Sequence, residues 1–213
     1  MDAFPGASLN ASESTTVYSF ERPSTTRETY CRGSLFAPVP MFMQRYLGEE
    51  GWKTFLRRVD ASTAEVMQTE FVALAWYPFH MITGIVAALD ATGKEIGKRT
   101  AIADMTAFNL DHATRGIFKA VFKLGSPEFM ISRADQVWRK FYSNGLMTVP
   151  LAKRGEAIVR LQAVPDMTPL YSLTVMHSLR AVIVKAGGKV TSADMEGDLA
   201  RGDYQSDFHF RWT

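Results

Sequence analysis

Cysteine is nearly absent from this chain, because Cys31 is the only one among 213 residues. A single cysteine cannot form an intramolecular disulfide, and it excludes zinc sites that are built from several thiolates. Proteins without structural disulfides are typical of reducing compartments. The cysteine content therefore predicts a cytoplasmic protein.

An excess of charge of one sign and long apolar runs are also lacking. The 24 Lys and Arg residues nearly balance the 22 Asp and Glu residues, and no dense basic block occurs. Charge therefore gives no support for a nucleic-acid partner, which needs clustered basic side chains. The longest apolar stretch, residues 76–89, is interrupted by Pro78, His80, Thr83 and Gly84. It is too short and too interrupted to cross a bilayer, so we expect no membrane span.

Recognisable catalytic and metal-binding motifs are missing as well. The histidines do not stand at the spacing of a zinc helix. Asp111 precedes His112, but a helix N-cap explains this aspartate better than catalysis does. No Gly-flanked serine and no Cys/His signature accompanies the pair. The sequence favours a non-enzymatic protein without catalytic or metal-ligating residues, and it indicates no particular cofactor.

The first 29 residues are rich in Ser and Thr and poor in large apolar side chains. Such a segment buries too little surface to offset the entropy lost on ordering. We expect residues 1–29 to form a disordered leader. The remaining length suits one domain, residues 30–213.

Helical signals dominate residues 38–141. Residues 62–65, Ser-Thr-Ala-Glu, form a capping box, in which hydroxyl and carboxylate each satisfy an amide of the first turn. Residues 79–89 are apolar nearly all round, which is typical of a buried helix. Residues 125–128, Gly-Ser-Pro-Glu, end one helix and begin the next. These signals predict an N-terminal helical layer.

The hydrophobic period changes after Asn144-Gly145. Residues 146–151 and 157–164 alternate between apolar and polar side chains and predict a β-hairpin. A long helix over 168–186 follows, and residues 189–212 predict a second hairpin. The expected fold class is α+β, with the helical layer packed on a four-stranded antiparallel sheet made of two hairpins that flank the long helix.

Aromatic side chains make up 12% of the chain, and eleven residues are Met. Most such residues fill a core, but soft side chains that repack also suit the wall of an apolar pocket. The histidines among the candidates are also explained as core or boundary residues with one backbone partner. The predicted ligand-binding residues are Trp76, Phe79, His80, Phe108, Trp138, Tyr142 and His177.

The last hundred residues carry an ordered set of motifs: Trp138 followed by Tyr142-Ser143-Asn144-Gly145, then residues 155–161, 185–190 and 202–204, and finally Phe208 to Trp212. This order resembles the 4-vinyl reductase domain and a related myxobacterial paralogous family of unknown function. Upstream, residues 46–52 and Trp76-Tyr77-Pro78 resemble the helical start of haem-NO-binding domains. The similarity covers residues 33–213.

The resemblance implies an α/β scaffold that binds small molecules, often serves as a sensor module and is often dimeric. Some 4-vinyl reductase domains carry cysteines near the last hairpin, where this chain has Met195 and Ser206, so a metal there has no support. A haem would need a proximal histidine, for which His112 is the positional candidate. The resemblance therefore gives no support for a metal or a haem in this chain.

Three functions follow as hypotheses. The first is a sensor-like domain that binds a small apolar or aromatic molecule between helices and sheet. The alternative is a protein–protein interaction or homodimerisation module in signalling, which would use an exposed helix or the last strand. In that strand, aromatic side chains are in phase on one face: Tyr204, Phe208, Phe210 and Trp212. The third, an enzyme of the reductase or hydrolase kind, lacks a legible acid–base pair.

Overall fold

Helices occupy most of the first two thirds of the chain, and antiparallel strands most of the last third. The computed structural model describes residues 18–24, 27–114 and 125–213. The helices are α1 Val39–Leu56, α2 Ala61–Gln68, α3 Phe79–Glu95, α4 Ala101–Ala113, α5 Pro127–Ile131, α6 Ala134–Phe141 and α7 Pro169–Lys185. The strands are β1 Tyr30–Arg32, β2 Trp76–Pro78, β3 Leu146–Lys153, β4 Glu156–Gln162, β5 Val190–Glu196 and β6 Gln205–Trp212. The predicted α+β class is confirmed.

The main sheet has the strand order β3-β4-β6-β5, and every neighbouring pair is antiparallel. Alternate residues of β4, such as Val159, are buried, and Val159 lies opposite the buried Phe208 of β6. Because strand side chains alternate between faces, the other face carries Arg160 and Asp207. Their two hydrogen bonds of 2.8 and 2.7 Å form a fork. One face of the sheet thus closes the core and the other is polar.

The aromatic residues of the last strand belong to the core face. Phe208, Phe210 and Trp212 are buried, whereas Tyr204, which precedes β6, is 82% exposed. The predicted in-phase aromatic face is therefore turned towards the helices. It does not offer a docking surface along the strand.

Local capping follows the sequence with one correction. Gly48, with φ 71°, introduces a kink within α1. The N-cap of α2 is Asp60, whose carboxylate accepts hydrogen bonds from the amide and hydroxyl of Thr63 and from the Ser62 hydroxyl. Ser62 was predicted to cap this helix. Aspartate is an equally strong N-cap and comes earlier in the chain, so the helix begins sooner.

Part of the predicted leader lies on the domain. The Tyr18 ring contacts the Tyr77 ring at 5.3 Å, and the backbone of Ser19 pairs with that of Trp76 through two hydrogen bonds. The Thr29 side chain is buried. Residues 1–17 and 25–26, the rest of the predicted leader, are outside the described ranges.

One contiguous cluster of buried apolar side chains runs from the helical layer to the core face of the sheet. The long helix α7 packs on α4 and also contacts α3, α5, β5 and β6. Within the described ranges, no helix combines the length and the apolar character needed to span a lipid bilayer.

Candidate functional site

The structure brings together three of the seven predicted ligand-binding residues. Trp138 stacks on Tyr142 with ring centroids 3.9 Å apart, and the Phe79 ring lies 6.3 Å from the Tyr142 ring. The remaining four are elsewhere. Trp76 is buried under the guanidinium of Arg32, and the others are the exposed His80, the half-buried Phe108 of α4 and the half-buried His177 of α7.

A fourth ring completes this aromatic cluster, which we define as Phe79, Trp138, Tyr142 and Tyr171. Tyr171 lies in the first turn of α7, and its ring packs edge-on against Phe79 at 4.6 Å. The two tyrosine hydroxyls lie 2.6 Å apart, a hydrogen bond in which either can donate. Tyr171 was not among the predicted site residues, although it is an aromatic residue in the first turn of a predicted helix. The cluster thus joins α3, α6 and α7.

Titratable groups in this region hold their protons. Burial raises the pKa of Tyr142 and of Tyr171, and the neighbouring Cys31 adds to both shifts. Burial alone raises the pKa of the Cys31 thiol, which is fully buried and contacts the Tyr77 carbonyl oxygen at 3.8 Å. A protonated buried thiol is a poor nucleophile. The cluster is therefore a neutral, apolar region with internal hydroxyl groups.

The pair Asp111 and His112 has a different place from the one predicted. Both residues lie exposed in the last turn of α4, so Asp111 does not cap a helix N-terminus. Asp111 forms an ion pair with Lys185 of α7, and His112 stacks on Phe108. The aspartate links two packed helices.

A pocket of about 490 Å³ opens beside the aromatic cluster, where β3 begins and β4 ends. The side chains that line it come from both strand ends and from the loop before β6. They are Asn144, Gly145, Gln162, Ala163, Val164, Pro165, Leu199, Asp203 and Tyr204. Apolar surface predominates in this lining. None of the seven predicted residues is among them.

The pocket and the aromatic cluster share a wall. Gly145 has φ 90°, and a Cβ there would lie 2.6 Å from Val164 Cγ2 and 2.9 Å from Trp138 Nε1. Trp138 Nε1 donates a hydrogen bond of 2.9 Å to the Asn144 carbonyl oxygen. The indole edge therefore backs the pocket wall. Ala163, with φ 54°, holds an unfavourable backbone conformation in the same wall, a kind of strain that gathers at functional sites.

Besides the Tyr204 phenol, three polar side chains line this pocket. Gln162 donates to the Gln205 side chain at 3.2 Å, and the Asp203 carboxylate accepts from the Asp198 amide at 2.7 Å. The Asn144 side-chain nitrogen donates to the Glu28 carbonyl oxygen at 2.6 Å. Each of these groups has more hydrogen-bonding capacity than these bonds use. An apolar lining with few polar groups is the usual composition of a small-molecule site.

A second pocket, of about 390 Å³, lies on the polar face of the sheet. Within it, His209 approaches Glu196 at 3.6 Å and Arg211 approaches Glu156 at 3.5 Å, and Asp194 adds a third carboxylate. In the described part of the chain, no group of three or more His, Cys, Asp or Glu side chains could hold a metal ion. This pocket is the more polar of the two.

Comparison with known proteins identifies the fold. No protein-family model matches the sequence, and no curated protein matches it. Solved structures do match. An Fe(II) unliganded H-NOX protein from K. algicida superposes with a TM-score of 0.63 at 9% identity, covering 85% of this chain and 96% of that one. An H-NOX protein from S. oneidensis in the Fe(II)NO ligation state gives 0.61 at 10% identity, with 85% and 99% covered.

This likeness establishes an H-NOX-like fold and agrees with the upstream resemblance to haem-NO-binding domains. The resemblance to the 4-vinyl reductase domain stays a prediction. Another matching structure concerns heme distortion in the H-NOX family and has a TM-score of 0.58 at 9% identity. The fold therefore raises the question of whether this chain suits a haem.

The described residues do not fit a haem. Haem iron needs an axial ligand, most often an imidazole. His80 and His112 are exposed on helix surfaces, His209 lies on the polar face of the sheet, and His177 is only half-buried. Phe79 and Tyr171 fill the space between α3 and α7 with a ring contact of 4.6 Å.

Proposed function

We propose that this chain is a non-enzymatic sensor domain that binds a small, neutral aromatic molecule in the pocket lined by Val164, Leu199 and Tyr204. The observation that carries the proposal is the shared wall between this pocket and the aromatic cluster, formed by Gly145 and Trp138. The H-NOX-like fold supports it, since a neighbour with this fold was solved in the Fe(II)NO ligation state and so holds a small ligand.

The size and chemistry of the pocket favour one class of ligand. About 490 Å³ lies within the usual range of small-molecule sites, roughly 300–1,000 Å³. Val164, Pro165 and Leu199 offer apolar contact, and the exposed Tyr204 ring can stack on a planar molecule. The Asp203 carboxylate at the rim accepts hydrogen bonds and repels anions. A neutral ring with one N–H or O–H donor satisfies all of these groups.

The predicted site residues take different places in this proposal. Trp138 forms the wall behind the pocket, Tyr142 stacks on Trp138, and Phe79 packs against Tyr142. Trp76, His80, Phe108 and His177 do not line the pocket. Their role in ligand binding stays a prediction.

Titration with indole tests the proposal, because indole is a neutral bicyclic ring with one N–H donor. We expect saturable binding that is weakened about tenfold by Tyr204→Ala, the loss of roughly one aromatic contact. Benzothiophene, which has the same shape without the N–H, should bind more weakly. Phe129→Ala is the matched control, since Phe129 is an exposed aromatic side chain on α5, away from the pocket.

The proposal would be abandoned if indole showed no saturable binding, or if Tyr204→Ala and Phe129→Ala bound it equally well. The alternative function, docking through the last strand, has less support because Phe208, Phe210 and Trp212 are buried. Docking through an exposed helix is still a prediction, and light scattering on the purified chain is its first test.

A further inference from the structure

The N-terminal segment crosses between the helical layer and the pocket. We call residues 18–24 and 27–32 the strap. On the helical side, Ser19 accepts from the Trp76 amide at 2.6 Å and donates to the Trp76 carbonyl oxygen at 3.0 Å. Tyr18 rests on Tyr77. The strap thus continues the small β1–β2 sheet by one further pairing.

The middle of the strap caps the end of α6. One Arg22 nitrogen, Nη2, donates to the carbonyl oxygens of Tyr142 at 3.0 Å and Ser143 at 3.1 Å. Nη1 donates to the Arg139 carbonyl oxygen at 3.4 Å. The last carbonyl groups of a helix lack intrahelical partners and carry partial negative charge, so a guanidinium there is favourable.

The end of the strap holds the pocket wall directly. The Glu28 carbonyl oxygen accepts from the Asn144 side chain at 2.6 Å, and the Thr29 hydroxyl donates to the Pro165 carbonyl oxygen at 3.0 Å. Asn144 and Pro165 both line the pocket. In addition, Tyr30 exchanges hydrogen bonds with Ser143, whose next neighbour is Asn144. Two parts of the wall therefore depend on a segment that is remote in sequence.

The two ends of the strap differ in how firmly they are held. Ser19, Phe20, Glu21 and Arg22 are exposed and are tied down mainly by hydrogen bonds at the surface, whereas Thr29 is buried. A segment with few buried apolar contacts opens locally without global unfolding. The first part of the strap can therefore detach while the domain stays folded.

From these contacts we infer that the strap and the pocket are energetically coupled, so that a ligand in the pocket stabilises the docked strap and the docked strap tightens ligand binding. This inference rests on the proposed function for its ligand-dependent half. Coupling of this kind is reciprocal, because a ligand that favours one of two states shifts the equilibrium towards that state. Docking of the N-terminal segment would then be the output of the sensor.

The first arm of the test needs no ligand and uses amide NMR of the full chain. In Arg22→Ala we expect hydrogen exchange at the Ser143 and Trp76 amides to speed up about tenfold, the effect of losing a charge-assisted hydrogen bond. The side-chain amide signal of Asn144 should shift. Arg154→Ala, at an exposed position in the β3–β4 turn, is the matched control and should change neither.

Thr29→Val serves as a second, isosteric variant that removes only the bond to Pro165. Thr29→Val should also shift the Asn144 side-chain amide signal. If Arg22→Ala does not fold, this second variant still tests whether the strap holds the pocket wall. Unchanged exchange at the Ser143 amide and an unchanged Asn144 signal in the folded variants would overturn the link between strap and pocket wall. This outcome does not depend on whether indole binds.

The second arm adds indole. Saturating indole should slow exchange at the Trp76 amide in the wild-type chain, and Arg22→Ala should bind indole several-fold more weakly than Arg154→Ala. If indole binds but both variants have equal affinity and exchange at Trp76 does not change, the coupling is wrong while the pocket proposal stands. If indole does not bind at all, the pocket proposal and the ligand-dependent half fail together, and the first arm still decides the strap contact.

Discussion

The Tyr142 and Tyr171 hydroxyls should stabilise the fold as a pair. Removing each hydroxyl in a separate variant should cost more stability, summed over the two variants, than removing both in one chain. The two hydroxyl oxygens are 2.6 Å apart, and Tyr171 is almost fully buried. Tyr142 is partly exposed as a residue, but its hydroxyl group lies inside, beside Tyr171 and Cys31. The pair is a local polar contact within the apolar cluster.

The magnitudes follow from the cost of an unpaired polar group. Tyr142→Phe or Tyr171→Phe leaves the other hydroxyl without its partner, at a cost of about 1–3 kcal/mol. The double variant leaves no orphaned hydroxyl, so its loss should be smaller than the sum of the two single losses. We expect a coupling of about 1–2 kcal/mol from the double-mutant cycle.

Urea unfolding followed by tryptophan fluorescence measures these differences, provided that the m-value is unchanged among the variants. Tyr30→Phe is the control, because the Tyr30 hydroxyl bonds Glu28 at the surface. It should cost less than about 0.5 kcal/mol. Strictly additive single losses would refute the reasoning, since they would mean that the two hydroxyls do not depend on each other.

The same pair sets a dependence on pH. Burial raises the pKa of both tyrosines in the folded chain, whereas in the unfolded chain it is about 10. Below about pH 10 both states keep these protons, and the contribution of the pair is complete. Above it the unfolded chain loses protons that the folded chain retains, so stability falls as pH rises. The double Phe variant should show a shallower fall.

Three further outcomes are expected. Asp60→Ala should destabilise the fold by about 1 kcal/mol, the usual value of an N-cap, and Asp60→Asn by less. Partial burial opposes ionisation of Asp60, but the hydrogen bonds to its carboxylate outweigh that effect and hold its pKa at about 2. The contribution of Asp60 to the stability of the fold is therefore present above about pH 4 and is lost as pH falls towards 2. Gly145→Ala should cost about 2 kcal/mol or more in urea unfolding because its Cβ would collide with Val164 at a positive φ, whereas Gly84→Ala, in an open helical position, should be neutral or stabilising. Absorption spectra of the chain with haemin should lack the sharp Soret band of a ligated haem. A Soret band that disappears in His112→Ala would contradict the conclusion that the described residues do not fit a haem.

The architecture was predictable because each hydrophobic period is long and well punctuated. The buried face of α7 does not follow from its apolar side chains alone. Leu173, Met176 and Val182 are only partly buried, while Ser172 is fully buried. The Ser172 hydroxyl donates to the Asp198 carboxylate at 2.8 Å, and this bond allows a polar side chain inside. Periodicity cannot anticipate a partner that lies 26 residues away.

The pocket was beyond the sequence for a similar reason. Its walls come from two strand ends and from the loop that holds Tyr204, and these segments are separated along the chain. Composition does not predict the contacts of the strap, because it measures the apolar surface of a segment and not its hydrogen bonds. Arg22 reaches carbonyl groups about 120 residues away along the chain.

Methyl NMR of the chain titrated with indole tests the central claim most directly. The account predicts that the methyl signals of Val164 and Leu199 shift together and saturate, while those of Val137 and Val184, exposed on α6 and α7, stay in place. Signals that move only at Val137 and Val184, or none that move up to the solubility limit of indole, would contradict a binding site at the end of β4.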